Sequence, residues 1–326
     1  MGRWVYTLAE FQQAEALYNE SLAIKRALGD RRGVATVLGR LSQVTVEQGH
    51  LDRAERLARE SYAIYHDLRS PYGIVEGLRQ LGVILMWLGQ HDEARRSLEQ
   101  SLELSQDLGD SALVAQIRSL IGLALSLLGL NGPAQQHAET GLQMARDVGD
   151  PYQVAWCLWV MGWSLASAEL YLEAEPVLSE SVVLFRHVST PTNEARQLGW
   201  SLALLAYVTW KRGDPATSRQ VILEVLPLSA RLRDFLPLLT ALPTAALLLS
   251  DRHPVRAVEL YALVWRYPLP ANSSGWLTVA GSELESVAAG LQPEVAEAAK
   301  ARGRTLDLHQ TAAALIDELG TPHTDD

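Results

Sequence analysis

The sequence has little of what would cross-link it, attach it to nucleic acid or anchor it in a membrane. Its 326 residues include one cysteine, Cys157, which cannot form an internal disulfide and fits a reducing cytoplasm. Acidic residues outnumber basic ones, 38 to 28, and the net charge of −10 disfavours a broad phosphate-binding surface. The most apolar run, residues 235–250, contains two prolines and is shorter than the roughly 20 residues that a membrane helix needs. We therefore expect a cytoplasmic chain with no nucleic-acid or membrane partner.

Sequence motifs for catalysis and cofactor binding are also missing. There is no phosphate-binding loop ending in Gly-Lys-Ser or Gly-Lys-Thr, and the eight histidines are dispersed without a cysteine pair. The pentapeptide GWSLA occurs at 162–166 and 199–203, but in helical sequence, whereas a nucleophilic serine of that motif needs a strand-to-helix turn. We expect no enzyme activity, no metal and no cofactor.

A repeat of 40 residues accounts for most of the chain. Four segments align without gaps, and each has a small residue first, apolar residues at helical spacing and a Gly-Asp or equivalent stop. The copies begin at Ala14, Ala54, Ala94 and Ala134, with a fifth at Ala174 and a sixth, after a shift of register through 190–197, at Ser218. Another helix, with a small residue at a fixed place, lies between successive copies. The pattern predicts an all-α fold of about seven helix–turn–helix repeats.

The repeat resembles the tetratricopeptide repeat (TPR). Residues 81–104, LGVILMWLGQHDEARRSLEQSLEL, carry the family's glycine at the helix crossing, Gly82, and its alanine at the start of the second helix, Ala94. The sequence departs from the usual unit of about 34 residues in its length, in its Gly-Asp stop and in a serine at the second alanine position. The resemblance implies a right-handed TPR superhelix, an α-solenoid, over residues 1–262, with the first repeat truncated. We expect residues 263–326 to form a C-terminal helical cap.

Longer repeats of this type resemble the sensor domains of STAND signal-transduction ATPases, including those of the maltose-regulator type. Residues 3–11 look like the second half of a helix whose first half is missing, and residues 299–308 resemble a motif near the end of such regulators. We therefore expect a fragment whose nucleotide-binding oligomerisation module lies upstream. The resemblance implies a sensor that binds a small-molecule inducer, or a peptide or protein signal, and controls that ATPase module.

Tryptophan points to a binding surface. In the TPR pattern the first helix of each unit lines the concave side, and counting from the small residue identifies the inward positions. In two adjacent units these positions carry Trp156, Trp159, Trp163, Trp200, Tyr207 and Trp210. A solvent-exposed aromatic patch of this size generally marks a binding site. The alternative is that facing units or the C-terminal region cover the rings.

Polar and aromatic residues of other units extend the predicted groove. These candidate ligand contacts are Glu76, Arg79, Trp87, Gln116, Tyr152 and Arg196. Arg79 has the chemistry to bind a carboxylate, a phosphate or a sugar hydroxyl, and it can equally pair with Glu76. Two functions remain open. The chain is either a ligand-sensing domain of a regulator or a passive TPR scaffold that holds a protein partner without a switch.

Overall fold

The computed structural model describes residues 8–188, 196–232 and 235–320. Over these ranges the chain is α-helical, with consecutive helix–turn–helix repeats and no strand, which confirms the predicted all-α TPR solenoid class. The chain divides into two compact units, Met1–Asp150 and Pro151–Asp326, and each is described by itself. Within the same ranges, no helix combines the length and apolarity needed to cross a bilayer.

The N-terminal unit, residues 1–150, is a row of antiparallel helices in which consecutive helices pack together. Its helices are α1 (Leu8–Ala27), α2 (Arg31–Glu47), α3 (Leu51–Asp67), α4 (Pro71–Trp87), α5 (His91–Asp107), α6 (Ser111–Leu127) and α7 (Asn131–Val148). Of the half-helix predicted at residues 3–11, residues 8–11 belong to α1, and residues 3–7 lie outside the described ranges.

The C-terminal unit, residues 151–326, contains three more helix pairs followed by shorter helices. The pairs are α8 (Pro151–Ser167) with α9 (Tyr171–Val188), α10 (Arg196–Lys211) with α11 (Pro215–Leu232), and α12 (Phe235–Leu249) with α13 (Pro254–Trp265). After them come α14 (Pro268–Ala271), α15 (Ser274–Trp276), a π-helical turn (Leu277–Gly281), α16 (Ser282–Ala289), α17 (Pro293–Gly303) and α18 (Leu308–Gly320). Helix α17 packs on α13, and α18 packs on α11 and α12. The proposed boundary between array and cap at residue 262 falls in α13 and stays a prediction.

The Gly-Asp pairs end one helix and begin the next. Gly29 has a φ of +67°, a left-handed conformation that closes a helix and that side-chain-bearing residues rarely adopt. The carboxylate of Asp30 then accepts a hydrogen bond from the Gly33 backbone N–H at 2.8 Å and so caps the following helix. Gly109–Asp110 repeats both features. This dipeptide takes over the turn that a closing proline marks in the usual family pattern.

Two other repeated positions explain how the helices of a pair approach each other. A Cβ at Gly82 or Gly162 would collide with a buried leucine sixteen residues further on, Leu98 or Leu178. The serine at the second alanine position donates a hydrogen bond to a backbone carbonyl 26 residues earlier, in the first helix of its own pair. The donor–acceptor pairs are Ser61–Ala35 (2.7 Å), Ser101–Val75 (2.9 Å) and Ser181–Ala155 (2.8 Å). The small residue and the serine thus fix the packing within each repeat.

Candidate functional site

Four of the predicted site tryptophans form one chain of ring contacts in the C-terminal unit. Trp156, Trp159 and Trp200 make a triangle, with ring centroids 5.0 Å, 5.3 Å and 5.5 Å apart. Trp163 joins the triangle through Trp159, at 6.2 Å. All four pairs have tilted ring planes at spacings that aromatic pairs favour. We call these residues, together with Trp276 described below, the tryptophan cluster.

Burial changes from one end of the tryptophan cluster to the other. Trp163 is 2% exposed and Trp159 is 6% exposed, whereas Trp156 and Trp200 are half-buried. Trp156 also packs against the Ala155–Phe185 core between α8 and α9. The cluster therefore has a closed end at Trp163 and an open end formed by Trp156 and Trp200.

The closed end is covered by the C-terminal segment of residues 274–281. Its Trp276, only 4% exposed, lies 4.8 Å from Trp163, centroid to centroid, and the π-helical turn after it contacts α8 and α12. The sequence reasoning considered a C-terminal cover but did not identify Trp276. This tryptophan stands outside the repeats in the Ser- and Gly-containing stretch NSSGWLTVAG, so repeat alignment assigns it no position.

The same segment also covers Tyr207, which is fully buried. The Tyr207 hydroxyl donates to the Thr278 carbonyl oxygen at 3.5 Å, and its ring meets Tyr171 edge-on at 6.1 Å. Burial and the nearby Glu283 carboxylate raise the pKa of Tyr207 far above its usual range, so the phenol stays a donor. Lys211 on α10 forms an ion pair with Glu283, just beyond the segment. The prediction that Tyr207 faces a ligand therefore depends on whether this segment moves.

Several indole nitrogens of the cluster are buried donors without a protein acceptor in the described ranges. They belong to Trp156, Trp159, Trp163 and Trp276. A buried N–H without a hydrogen bond carries a desolvation cost of about 1–3 kcal/mol, so most such groups in proteins are paired. Several such donors within one cluster give it an unused capacity to bind carbonyl or hydroxyl oxygens.

The other predicted residues of this unit lie apart from these ring contacts. Trp210 is half-buried near the end of α10, and none of the ring contacts among the described residues includes it. Tyr152 makes an edge-to-face contact with Phe185 at 5.7 Å, in the packing between α8 and α9. Arg196 begins α10, and its side chain is outside the described part of the structure.

In the N-terminal unit the predicted polar residues pair with one another. Arg79 donates two hydrogen bonds to Glu76, from Nε at 2.8 Å and from a terminal nitrogen at 2.6 Å, and Gln80 adds a third at 2.8 Å. Burial acts to raise the pKa of Glu76, but the Arg79 charge and hydrogen bonds outweigh it and hold this pKa below its usual value. Gln116 is half-buried, and Trp87 is buried at the end of α4. Arg79 therefore pairs with Glu76, which is one of the two alternatives that the sequence left open.

No group of histidine, cysteine or acidic side chains suited to a metal ion occurs among the described residues. Cys157 is buried within α8. The features that this geometry offers to a ligand are aromatic faces and buried indole N–H donors, with a C-terminal segment over one end of the cluster.

Repeat sequence and helix-pair geometry together define a TPR-type helical repeat protein. The tetratricopeptide-repeat family profile matches residues 1–67 and 74–147, all within the N-terminal unit. No curated protein matches the chain in sequence.

Solved structures with a similar fold include two Rap proteins and a quorum sensor. A Rap protein complexed with Competence and Sporulation Factor is 14% identical, with a TM-score of 0.64 over 98% of this chain and 89% of its own. The Rap conjugation gene regulator of plasmid pLS20, in complex with the Phr* peptide, is 11% identical, with a TM-score of 0.60 over 90% and 77%. The apo quorum sensor NprR from B. thuringiensis is 14% identical, with a TM-score of 0.51 over 96% and 99%. At these identities the similarity concerns the fold.

Proposed function

We propose that this chain is a non-enzymatic sensor module of a signalling regulator, and that it binds a peptide signal at the open end of the tryptophan cluster. The observation that carries the proposal is the change in burial from one end of the tryptophan cluster to the other. Trp156 and Trp200 present partly exposed rings, while Trp156 and Trp159 hold buried N–H donors without a protein acceptor. The Rap conjugation gene regulator of plasmid pLS20, which has a similar fold and is in complex with the Phr* peptide, supports this class of ligand.

The chemistry of a peptide matches the two features of the open end. Apolar or aromatic side chains stack on indole faces and remove large apolar areas from water. Backbone carbonyl oxygens supply acceptors for the indole N–H groups, and forming those hydrogen bonds removes an existing cost of unpaired donors. A peptide therefore gains both apolar burial and hydrogen bonding at one place.

The output that we propose follows from the resemblance to STAND regulators. Each repeat touches mainly its neighbours, so a ligand that favours one packing of adjacent repeats changes the shape of the array by small steps. The ligand shifts this equilibrium only by the difference between its affinities for the two shapes. In the parent protein that shift would control an upstream nucleotide-binding oligomerisation module.

The experiment that tests this proposal is a peptide selection followed by a matched pair of variants. Random peptides displayed on phage are selected on the immobilised chain, and the affinity of enriched peptides is measured by calorimetry. Trp200→Ala at the open end is compared with Trp210→Ala, a half-buried tryptophan of the same helix that makes none of the cluster's ring contacts. We expect Trp200→Ala to weaken binding by about 2 kcal/mol, roughly 30-fold, as a buried aromatic anchor does.

Each outcome decides something. A loss confined to Trp200→Ala supports the proposed site, and an equal loss for Trp210→Ala extends it along α10, as the sequence predicted. Unchanged affinity in both variants, with helical content preserved, overturns the site. Binding that leaves the tryptophan fluorescence and the hydrogen-exchange pattern of distant repeats unchanged favours a passive scaffold over a sensor.

A further inference from the structure

The C-terminal segment of residues 274–281 fills the closed end of the cluster in the way that a bound peptide would. It places an aromatic side chain, Trp276, against Trp163, and offers a backbone carbonyl, at Thr278, to the hydroxyl of Tyr207. Trp276 is 4% exposed, so this contact removes nearly all of the indole from water. The open end offers a ligand the same two kinds of interaction, contact with an aromatic ring and a hydrogen-bond donor for a carbonyl oxygen.

In the described part of the structure, one polar contact that holds the segment is weak. Its hydrogen bond from Tyr207 to Thr278 is long, at 3.5 Å, and the Lys211–Glu283 ion pair follows beyond its end. The Ser273 hydroxyl caps the segment by accepting a hydrogen bond from the backbone N–H of Trp276 at 3.0 Å, and the chain then passes through a π-helical turn. Such turns are uncommon and occur frequently at functional sites.

The fit of the Trp276 ring is incomplete in one respect. Its indole nitrogen and that of Trp163 are both buried without a protein acceptor in the described ranges, although the two rings are in close, tilted contact. An occupant with an acceptor at this point would satisfy a donor that the segment leaves unpaired. An occupant that supplied this acceptor would therefore fit the place better than the segment does.

We propose that the place taken by Trp276 is a subsite for an aromatic side chain of a peptide, and that the segment of residues 274–281 occupies it as an internal competitor. The proposal rests on the proposed function and extends the peptide site from the open end to Trp163 and Tyr207. A peptide with an aromatic residue and free carbonyl oxygens displaces Trp276, and its binding is opposed by the high effective concentration of the tethered segment.

The chain's own segment supplies the probe. A fluorescein-labelled peptide of sequence NSSGWLTVAG, residues 272–281, is titrated against the full chain and against Trp276→Ala, and binding is followed by anisotropy. We expect Trp276→Ala to bind this peptide at least tenfold more tightly than the unmodified chain, because the internal competitor has lost its ring. The peptide NSSGALTVAG should bind neither protein, and Trp276→Phe, which keeps an aromatic competitor, should resemble the unmodified chain.

A second variant keeps all the rings in place. Glu283→Gln removes the charge that pairs with Lys211, and we expect it to raise the affinity for NSSGWLTVAG about threefold by loosening the segment. This measurement decides the matter if Trp276→Ala loses its helical circular dichroism. Equal affinity of the unmodified chain, Trp276→Ala and Glu283→Gln for NSSGWLTVAG, or equal binding of the peptide without tryptophan, overturns the subsite. In that case binding of selected peptides that depends on Trp200 would still stand, so the two proposals fail separately.

Discussion

The N-terminal and C-terminal units use one repeat pattern but place different side chains on the equivalent faces of their first helices. In residues 1–150 those positions carry Glu76 and Arg79, which satisfy each other. In residues 151–326 they carry tryptophans, and three of these, Trp156, Trp159 and Trp163, have buried indole N–H groups without a protein acceptor among the described residues. Trp163 also contacts the ring of Trp276, which lies outside the repeats. The family profile ends at residue 147, just before the second unit begins. The binding site that we propose therefore lies in the unit that departs from the regular repeat pattern.

The largest expected effect concerns the two ends of the tryptophan cluster. Trp163→Ala should lower the free energy of unfolding by about 3–5 kcal/mol, because it empties a fully packed site. Trp200→Ala should cost roughly half as much, since its ring is half-buried. Urea unfolding measures both. If the two losses were equal, the distinction between a closed and an open end would be wrong.

This contrast also shows how much of the structure could be predicted from the sequence. Repeat length, helix ends and the Gly82 and Gly162 crossings follow from signals within one 40-residue unit, and they were predictable. Counting positions also selected four of the five cluster tryptophans. The contact between Trp163 and Trp276 joins residues 113 positions apart (276 − 163) and depends on a segment without repeat periodicity. No local pattern encodes such a contact, so the sequence alone left open whether the rings were covered.

The next prediction tests whether Arg79 and Glu76 of the N-terminal unit stabilise the fold by pairing with each other. Arg79→Met leaves the mostly buried Glu76 carboxylate without its main partner, and we expect a loss of about 2 kcal/mol at neutral pH. The Arg79 pairing holds the pKa of Glu76 below its usual value, so the pairing stabilises the fold above that value and less as the pH falls. In the variant, burial still acts to raise this pKa, and only the weaker effects of the Gln80 hydrogen bond and the Arg40 charge oppose it. The difference in stability should therefore shrink between pH 7 and pH 4.

The control for this prediction is Glu76→Gln, which removes the titrating group. In the Glu76→Gln background, adding Arg79→Met should change the free energy of unfolding by an amount that does not shrink in the same way at low pH. A loss that stayed constant over the pH range would mean that Arg79 acts by packing its aliphatic stem and not by its charge.

A smaller effect asks whether both units share the same internal packing. Ser101→Ala and Ser181→Ala each remove a hydrogen bond from a buried serine to a carbonyl of the partner helix, worth about 1 kcal/mol. Ser181 also lies 2.9 Å, oxygen to oxygen, from the Ser201 hydroxyl, so its loss should be the larger of the two. Thermal unfolding of both variants measures this. A negligible loss at Ser181 would show that the C-terminal unit does not depend on the serine bond of the regular repeat.

The smallest expected effect concerns the ion pairs that link the second helices of neighbouring repeats. Arg59 on α3 pairs with Glu93 on α5 at 2.8 Å, and Arg186 on α9 pairs with Glu224 on α11 at 2.7 Å. These side chains are largely exposed, so water and salt screen them, and Arg59→Ala or Arg186→Ala should each cost about 0.5 kcal/mol or less. Urea unfolding at low salt and at high salt measures the loss.

The two arginine variants should behave alike, and high salt should remove most of the difference from the unmodified chain. A loss well above 1 kcal/mol in one unit only would contradict the common scaffold. It would mean that the ion pairs themselves differ in role between the units, so that the contrast between scaffold and binding surface extends to the second helices. Equal, salt-sensitive losses would instead confine the functional difference to the first helices and to the segment that covers them.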